Sequence, residues 1–105
     1  MEPISAAQGF SAMGSQSRLE VLQSLVRAGN AGLSVGDIQS RTGIAASTLA
    51  HHLKFLNLAG LISQERQGRA IINRANYDLL QDLTNYILRE CCADEDCNTE
   101  ETSAA

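Results

Sequence analysis

Residues 34–74 read SVGDIQSRTG, then IAASTLAHHLKFLNLAG, then LISQERQGRAIINR. The three pieces carry three different patterns. Ser34 can cap a helix with Asp37 in its first turn, and Val35, Ile38 and a stop at Gly43 predict about two helical turns. Past that glycine, Leu49, Leu53 and Leu56 fall at i, i+4 and i+7 in a helix that starts near Ala45 and Ala46 and closes at Ala59-Gly60. From Leu61 the pattern changes to two short strands, 61–66 and 70–74, around Gln67-Gly68-Arg69. A short helix, a tight turn, a second helix and a hairpin directly behind it make a winged helix-turn-helix, mainly α with a small β-hairpin.

Outward from this unit, residues 1–13 place Ile4, Phe10 and Met13 among small residues and allow one short helix. Ser17-Arg18-Leu19-Glu20 fits a capping box, and Leu19, Leu22, Leu25 and Val26 then recur at helical spacing until Gly29, which predicts a helix over about 17–28. Asn76 can cap a last helix whose apolar face is Tyr77, Leu80, Leu83, Ile87 and Leu88, ending near Arg89. Residues 93–105, ADEDCNTEETSAA, are expected to be disordered when empty. The chain thus divides into one domain over 1–90 and an acidic, cysteine-bearing tail over 91–105.

Composition narrows the function. At 105 residues, 44% hydrophobic and 19% charged, the chain suits a single domain with no room for a large enclosed active site. No apolar run approaches the roughly 18 residues of a membrane span, and MEPISAAQGF lacks a basic region followed by an apolar stretch, so a cytoplasmic location is expected. Three cysteines, all in the last fifteen residues, are an odd count that argues for reduced thiols over a disulfide framework. The net charge of −4 conceals a division: residues 1–89 hold all eight Lys and Arg against six acids, and residues 90–105 hold six acids and no base. A mildly basic body leaves DNA binding open, because phosphate responds to the local field on one face.

With the leucines inward, Ser47, Thr48, His51 and Lys54 take the outward side of the second helix of the motif. Hydroxyls and imidazole can reach base edges or phosphates, Lys neutralises a phosphate, and a helix N-terminus favours an anion. The bland reading is a solvated polar face. Adjacent His51 and His52 point about 100° apart on a helix and cannot share one ion, so His52 is expected to pack or cap. Arg66 and Arg69 place two guanidinium groups at the wing tip for a minor groove or its phosphates. The alternatives there are a solubilising turn and, for Arg66, a pair with Glu65 or Asp37. An enzyme is disfavoured: no base and orienting acid accompany the cysteines, and no phosphate loop occurs. A protein-interaction module would show apolar or acidic residues where 47–54 shows Ser, Thr, His and Lys.

The segments Ser15-Gln16-Ser17-Arg18-Leu19-Glu20-Val21-Leu22, Gly43 through Leu56 with its Ser-Thr-x-x-His-His-Leu-Lys run, Ala59-Gly60-Leu61-Ile62 and the Arg66–Arg69 wing resemble the ArsR/SmtB metalloregulatory repressors over about residues 8–90. The resemblance implies a homodimer joined by the first and last helices, seated on double-stranded operator DNA near its own promoter and released by an inducer. Two recognition helices about one DNA turn apart, roughly 34 Å, imply an imperfect inverted repeat.

Family ligand sites transfer only where the residues match. The arsenic site of the third helix needs a Cys-Val-Cys segment, and Leu33-Ser34-Val35-Gly36-Asp37 has no thiol. The zinc-type site of the last helix needs His, and residues 77–90 hold Asp78, Asp82 and Glu90 but no His. What remains, Cys91, Cys92 and Cys97, resembles the arsenic-responsive branch whose thiols lie at and beyond the last helix. The chemistry agrees, since soft, lone-pair-bearing As(III) or Sb(III) is satisfied by three thiolates in a pyramid, whereas tetrahedral zinc wants a fourth ligand. No cofactor is expected to be required, and the resemblance implies As(III), or Sb(III), as the inducer. If both adjacent cysteines stayed helical they would diverge, so closing a three-sulfur site is expected to need an unwound helix end. Cd(II) or Pb(II), thiol oxidation and an incidental thiol cluster stay open as alternatives, although the flanking acids disfavour the reactive thiolate of an oxidation sensor.

Overall fold

The computed structural model describes residues 1–95. Pro3, whose ring fits a first helical turn where no amide partner is needed, opens α1 (Pro3–Ala12). α2 (Gln16–Ala28) is capped by Ser15, whose Oγ accepts from the Arg18 amide at 3.1 Å. The cap therefore sits two residues before the expected Ser17. The inward face shifts with it: Val21, Leu22 and Leu25 are buried, whereas Leu19 and Val26 face outward at 41% and 42% exposure. A single 3-10 turn (Gly29–Ala31) leads to a two-residue strand, β1 (Leu33–Ser34), which the sequence reading did not contain.

α3 (Val35–Thr42) starts as expected. Ser34 Oγ accepts from the Asp37 amide at 3.1 Å, and the Asp37 carboxylate accepts from the Ser34 amide at 3.4 Å, a reciprocal capping box. Gly43 stops the helix in the left-handed region at φ 73°, its amide donating to Gln39 O at 2.8 Å. α4 (Ala46–Leu58) turns Leu49, Leu53 and Leu56 into the core. The wing is β2 (Ile62–Gln67) and β3 (Ala70–Ala75), paired antiparallel from Ile62 opposite Ala75 to Gln67 opposite Ala70. β1 pairs with the outer side of β3, Leu33 opposite Asn73, so the sheet order is β1-β3-β2. α5 (Tyr77–Leu88) is capped by Asn76, whose Oδ1 accepts from the Leu79 amide at 3.3 Å while its Nδ2 donates to Gly60 O at 2.9 Å.

The core joins α2, α3, α4 and the wing base through Val21, Leu25, Ile38, Leu49, Leu56 and Leu61, none of which is exposed. Burying one such side chain contributes about 1.5–3 kcal/mol, so a few of them outweigh the capping contacts. α5 contributes less than expected. Of its apolar residues only Leu83 is buried, pressed against Gly9 of α1, where a Cβ would stand 2.9 Å from Leu83 Cδ1. Ile87 and Leu88, expected on the packed face, are 66% and 62% exposed, as is Ile4 of α1 at 69%. No helix among the described residues is long and apolar enough to cross a membrane.

Candidate DNA-binding face and thiol site

Anchored by its three leucines, α4 presents Ser47, Thr48, His51 and Lys54 to solvent. Ser47, His51 and Lys54 follow one another at i, i+4 and i+7, a single stripe opposite the buried one. The His51 ring meets Phe55 edge-on at 5.7 Å between centroids, and the Arg18 guanidinium lies 5.2 Å from the same Phe55 ring. His52 turns the other way. It is half-buried, its Nδ1 is enclosed without a hydrogen-bond partner, and burial, then the charges of Arg18 and His51, lower its pKa. It packs and does not cap, as a neutral ring.

The start of α4, expected to favour an anion, is uncapped. Ala45 occupies the N-cap of α4 and has no side chain to accept from the first turn. The amides of residues 46–48 are left at the positive end of the helix, an arrangement suited to a phosphate oxygen. The signal was the Ala45-Ala46 pair standing where a capping Ser, Thr, Asp or Asn is usual. The entry turn is held by Thr42, whose Oγ1 donates to Ile38 O at 2.8 Å and accepts from the Ile44 amide at 3.3 Å.

On the wing, Arg69 lies in the turn beside Gly68 and Arg66 in the strand opposite Ile71, and both are exposed. Arg66 is not tied to Glu65. The Glu65 carboxylate is taken by Arg74 at 2.6 Å, a contact that holds its pKa below the ordinary value, and Arg74 Nε also donates to Asn30 O at 2.6 Å. Asn73, fully buried in β3, accepts from Gln64 Nε2 at 2.8 Å and donates to Leu33 O at 3.2 Å, tying all three strands together behind the wing. The structure thus gathers four expected residues on one helix face and two at the wing.

The thiols stand apart from this face. α5 ends at Leu88, and residues 89–94 continue in hydrogen-bonded turns, Cys91 N to Leu88 O at 2.8 Å and Glu95 N to Cys92 O at 3.0 Å. The expectation of disorder from residue 93 fails for 93–95, and residues 96–105 lie outside the described residues, Cys97 with them. Cys92 adopts φ 62°, the only positive φ at a non-glycine among the described residues. With the backbone turned this way the Cys91 and Cys92 sulfurs approach to 3.4 Å. The helix end is already open, so the expected divergence of two helical cysteines does not arise. Arg89, the one base nearby, lies 4.7 Å from the Tyr86 ring. No group of three His, Cys, Asp or Glu among the described residues is arranged to hold a metal ion.

Comparison with known proteins fits this anatomy. The model of a family described as bacterial regulatory protein, arsR family, matches residues 15–64. The transcriptional repressor SdpR of Bacillus subtilis is 33% identical over 79 residues, which span 75% of this chain and 84% of that protein. An ArsR-like transcriptional regulator from Rhodococcus sp. RHA1 superposes with a TM-score of 0.73 at 27% identity, over 87% of this chain and 82% of that one. The homodimeric winged helix-turn-helix DNA-binding domain from Mycobacterium bovis, at 24% identity and a TM-score of 0.67 over 90% of this chain and 83% of its own, shares the fold.

Proposed function

Because the chain belongs to the arsR family of bacterial regulatory proteins, DNA-binding regulators and not enzymes, we propose that it is a transcriptional repressor that binds operator DNA as a homodimer and is released by As(III) or Sb(III). The observation that carries the DNA half is the exposed stripe of Ser47, His51 and Lys54, with Thr48 beside it, on a helix locked by Leu49, Leu53 and Leu56 and followed directly by a wing bearing Arg66 and Arg69. Ser47, Thr48 and His51 read base edges in the major groove, the open first turn of α4 and Lys54 meet phosphates, and the wing arginines reach the neighbouring groove. Dimerisation falls to α1 and α5, which leave Ile4, Ile87 and Leu88 exposed. Covering three such side chains contributes about 1.5–3 kcal/mol apiece per protomer.

The inducer half rests on the 3.4 Å approach of the Cys91 and Cys92 sulfurs. Two sulfurs this close can both bind one soft ion, and a third thiolate would complete the pyramid that As(III) or Sb(III) takes, whereas zinc would want a fourth ligand. Cys97 supplies the third sulfur in this reading. Since α5 carries both the thiol-bearing turn and the dimer surface, ligand binding there favours one arrangement of the two recognition helices over another.

The test is fluorescence anisotropy of the reduced protein on a duplex from upstream of its own gene, with a phosphine as reductant. Arsenite is expected to release the DNA at about one to two equivalents per dimer, and Cys91→Ser, Cys92→Ser and Cys97→Ser each to block release without loss of DNA binding. Wild-type binding that ignores arsenite overturns the inducer; release by Cd(II), Pb(II) or peroxide instead assigns the thiols to a divalent soft ion or to oxidation.

A further inference from the structure

The eight basic side chains of the protein divide by what holds them. Three are engaged internally: Arg18 over Phe55, Arg74 with Glu65, and Arg89 over Tyr86. Five are exposed and form no ion pair with an acid among the described residues. Lys54, Arg66 and Arg69 belong to the recognition helix and the wing. The other two, Arg27 and Arg41, have no place in that face, yet both line one open cleft between α2 and α3, with Gln23, Ser24, Thr42 and the single acid Glu20.

Each of these arginines lies in the last turn of its helix, where a cation meets the negative end of the helix dipole. That accounts for one base per helix but not for two gathered in one cleft. The position of the cleft supplies the rest. α3 is the first helix of the helix-turn-helix, the element that lies across the DNA backbone while its partner helix fills the groove. Arg41 and Thr42 are its last residues, and Thr42 holds the turn that feeds the uncapped start of α4. A cleft bordering that turn, carrying two exposed guanidinium groups against the one carboxylate of Glu20, fits a phosphodiester strand running past the groove α4 enters.

We infer that the α2–α3 cleft is a second operator contact, in which Arg27 and Arg41 neutralise backbone phosphates independently of base sequence. This rests on the DNA-binding reading above. It adds four cationic contacts per dimer to those of Lys54, Arg66 and Arg69.

Anisotropy titrations from about 50 to 200 mM salt, on the operator and on a scrambled duplex, test it, because each neutralised phosphate contributes about −0.9 to the slope of log K against log salt. The Arg27→Gln/Arg41→Gln protein is expected to show a slope shallower by about 3–4 per dimer, with affinity for both duplexes falling together so that their ratio holds. Arg27→Lys/Arg41→Lys should keep the wild-type slope, which a purely packing role of guanidinium would not predict. The inference is overturned if the Gln protein, with an unchanged thermal midpoint, keeps the wild-type slope. It is equally overturned if inorganic phosphate alone raises the thermal midpoint of wild type but not of the Gln protein while their slopes agree, which assigns the cleft to a free anion. Wild-type protein that binds neither duplex in a salt-dependent way contradicts the DNA reading itself, a result separable from the other two.

Discussion

Asn73→Ala probes the joint on which the wing hangs. The Asn73 side chain is fully buried and bridges two strands, donating to Leu33 O of β1 at 3.2 Å and accepting from Gln64 Nε2 of β2 at 2.8 Å. Truncation affects the two partners unequally. Gln64 is exposed and its amide turns to water at little cost, whereas the Leu33 carbonyl belongs to a residue only 5% exposed and loses the side-chain donor that Asn73 supplies. Losing a buried side-chain hydrogen bond costs about 1–3 kcal/mol, and the void left by the amide adds to it, for an expected loss of about 2–3 kcal/mol. In a domain of this size that lowers the thermal midpoint by roughly 10–20 °C. Circular dichroism melts and urea titrations of Asn73→Ala and Gln64→Ala give both numbers, and Gln64→Ala should cost less than about 1 kcal/mol. Equal losses for the two variants, or a loss under about 1 kcal/mol for Asn73→Ala, would refute the asymmetry argued from burial.

Gly32→Ala should be costlier still, about 3 kcal/mol or more by thermal melt, because Gly32 sits at φ 68° and a Cβ there would stand 2.7 Å from Asn73 O and 2.6 Å from Ile72 Cγ2; a loss under about 1 kcal/mol counts against it. The Glu65 carboxyl should titrate below the ordinary Glu value by NMR and rise toward it in Arg74→Gln, since the Arg74 hydrogen bond and charge are the largest causes that lower it, ahead of the Gln67 hydrogen bond. A lowered carboxylate pKa gives stability present above the unfolded value and lost as pH falls through the folded one, and a titration unchanged by Arg74→Gln removes the cause assigned here. His52 has the opposite sense. With its folded pKa lowered from 6.5, the unfolded chain binds more protons, so stability falls as pH drops through that value. The thermal midpoint of wild type should therefore fall more than that of His52→Gln between about pH 7.5 and 5.5, and parallel profiles would exclude a neutral, packed His52.

The helix-turn-helix and wing were legible because single residue types fix them: Gly43 for a left-handed stop, three leucines at helical spacing, and Gly68 in a two-residue turn. Where two residues could serve equally, the sequence misled. Ser15 and Ser17 can both cap α2, and taking the later one rotated the inward face toward Leu19 when Val21 is the residue buried. β1 has no local signature, since two residues become a strand only by pairing with β3 across forty positions. The apolar face of α5 was read as core, but a monomer buries only Leu83 and leaves Ile87 and Leu88 outside. The thiol pair needed the structure most, because nothing about a cysteine favours the left-handed backbone that Cys92 adopts. The positions of Ser47, Thr48, His51, Lys54, Arg66 and Arg69 and the anion-favouring start of α4 were readable, whereas the grouping of Arg27 with Arg41 required the neighbours to be placed.

The central claim, that a dimer of this chain occupies operator DNA and leaves it when its thiols are filled, is tested most directly by footprinting the upstream region of its own gene with and without arsenite. The account predicts one protected tract with two half-sites about one helical turn apart, roughly 34 Å, lost in Lys54→Ala/Arg69→Ala and cleared by arsenite in wild type but not in Cys91→Ser. Protection without a dyad, or a dyad-symmetric footprint that arsenite leaves intact, would contradict it.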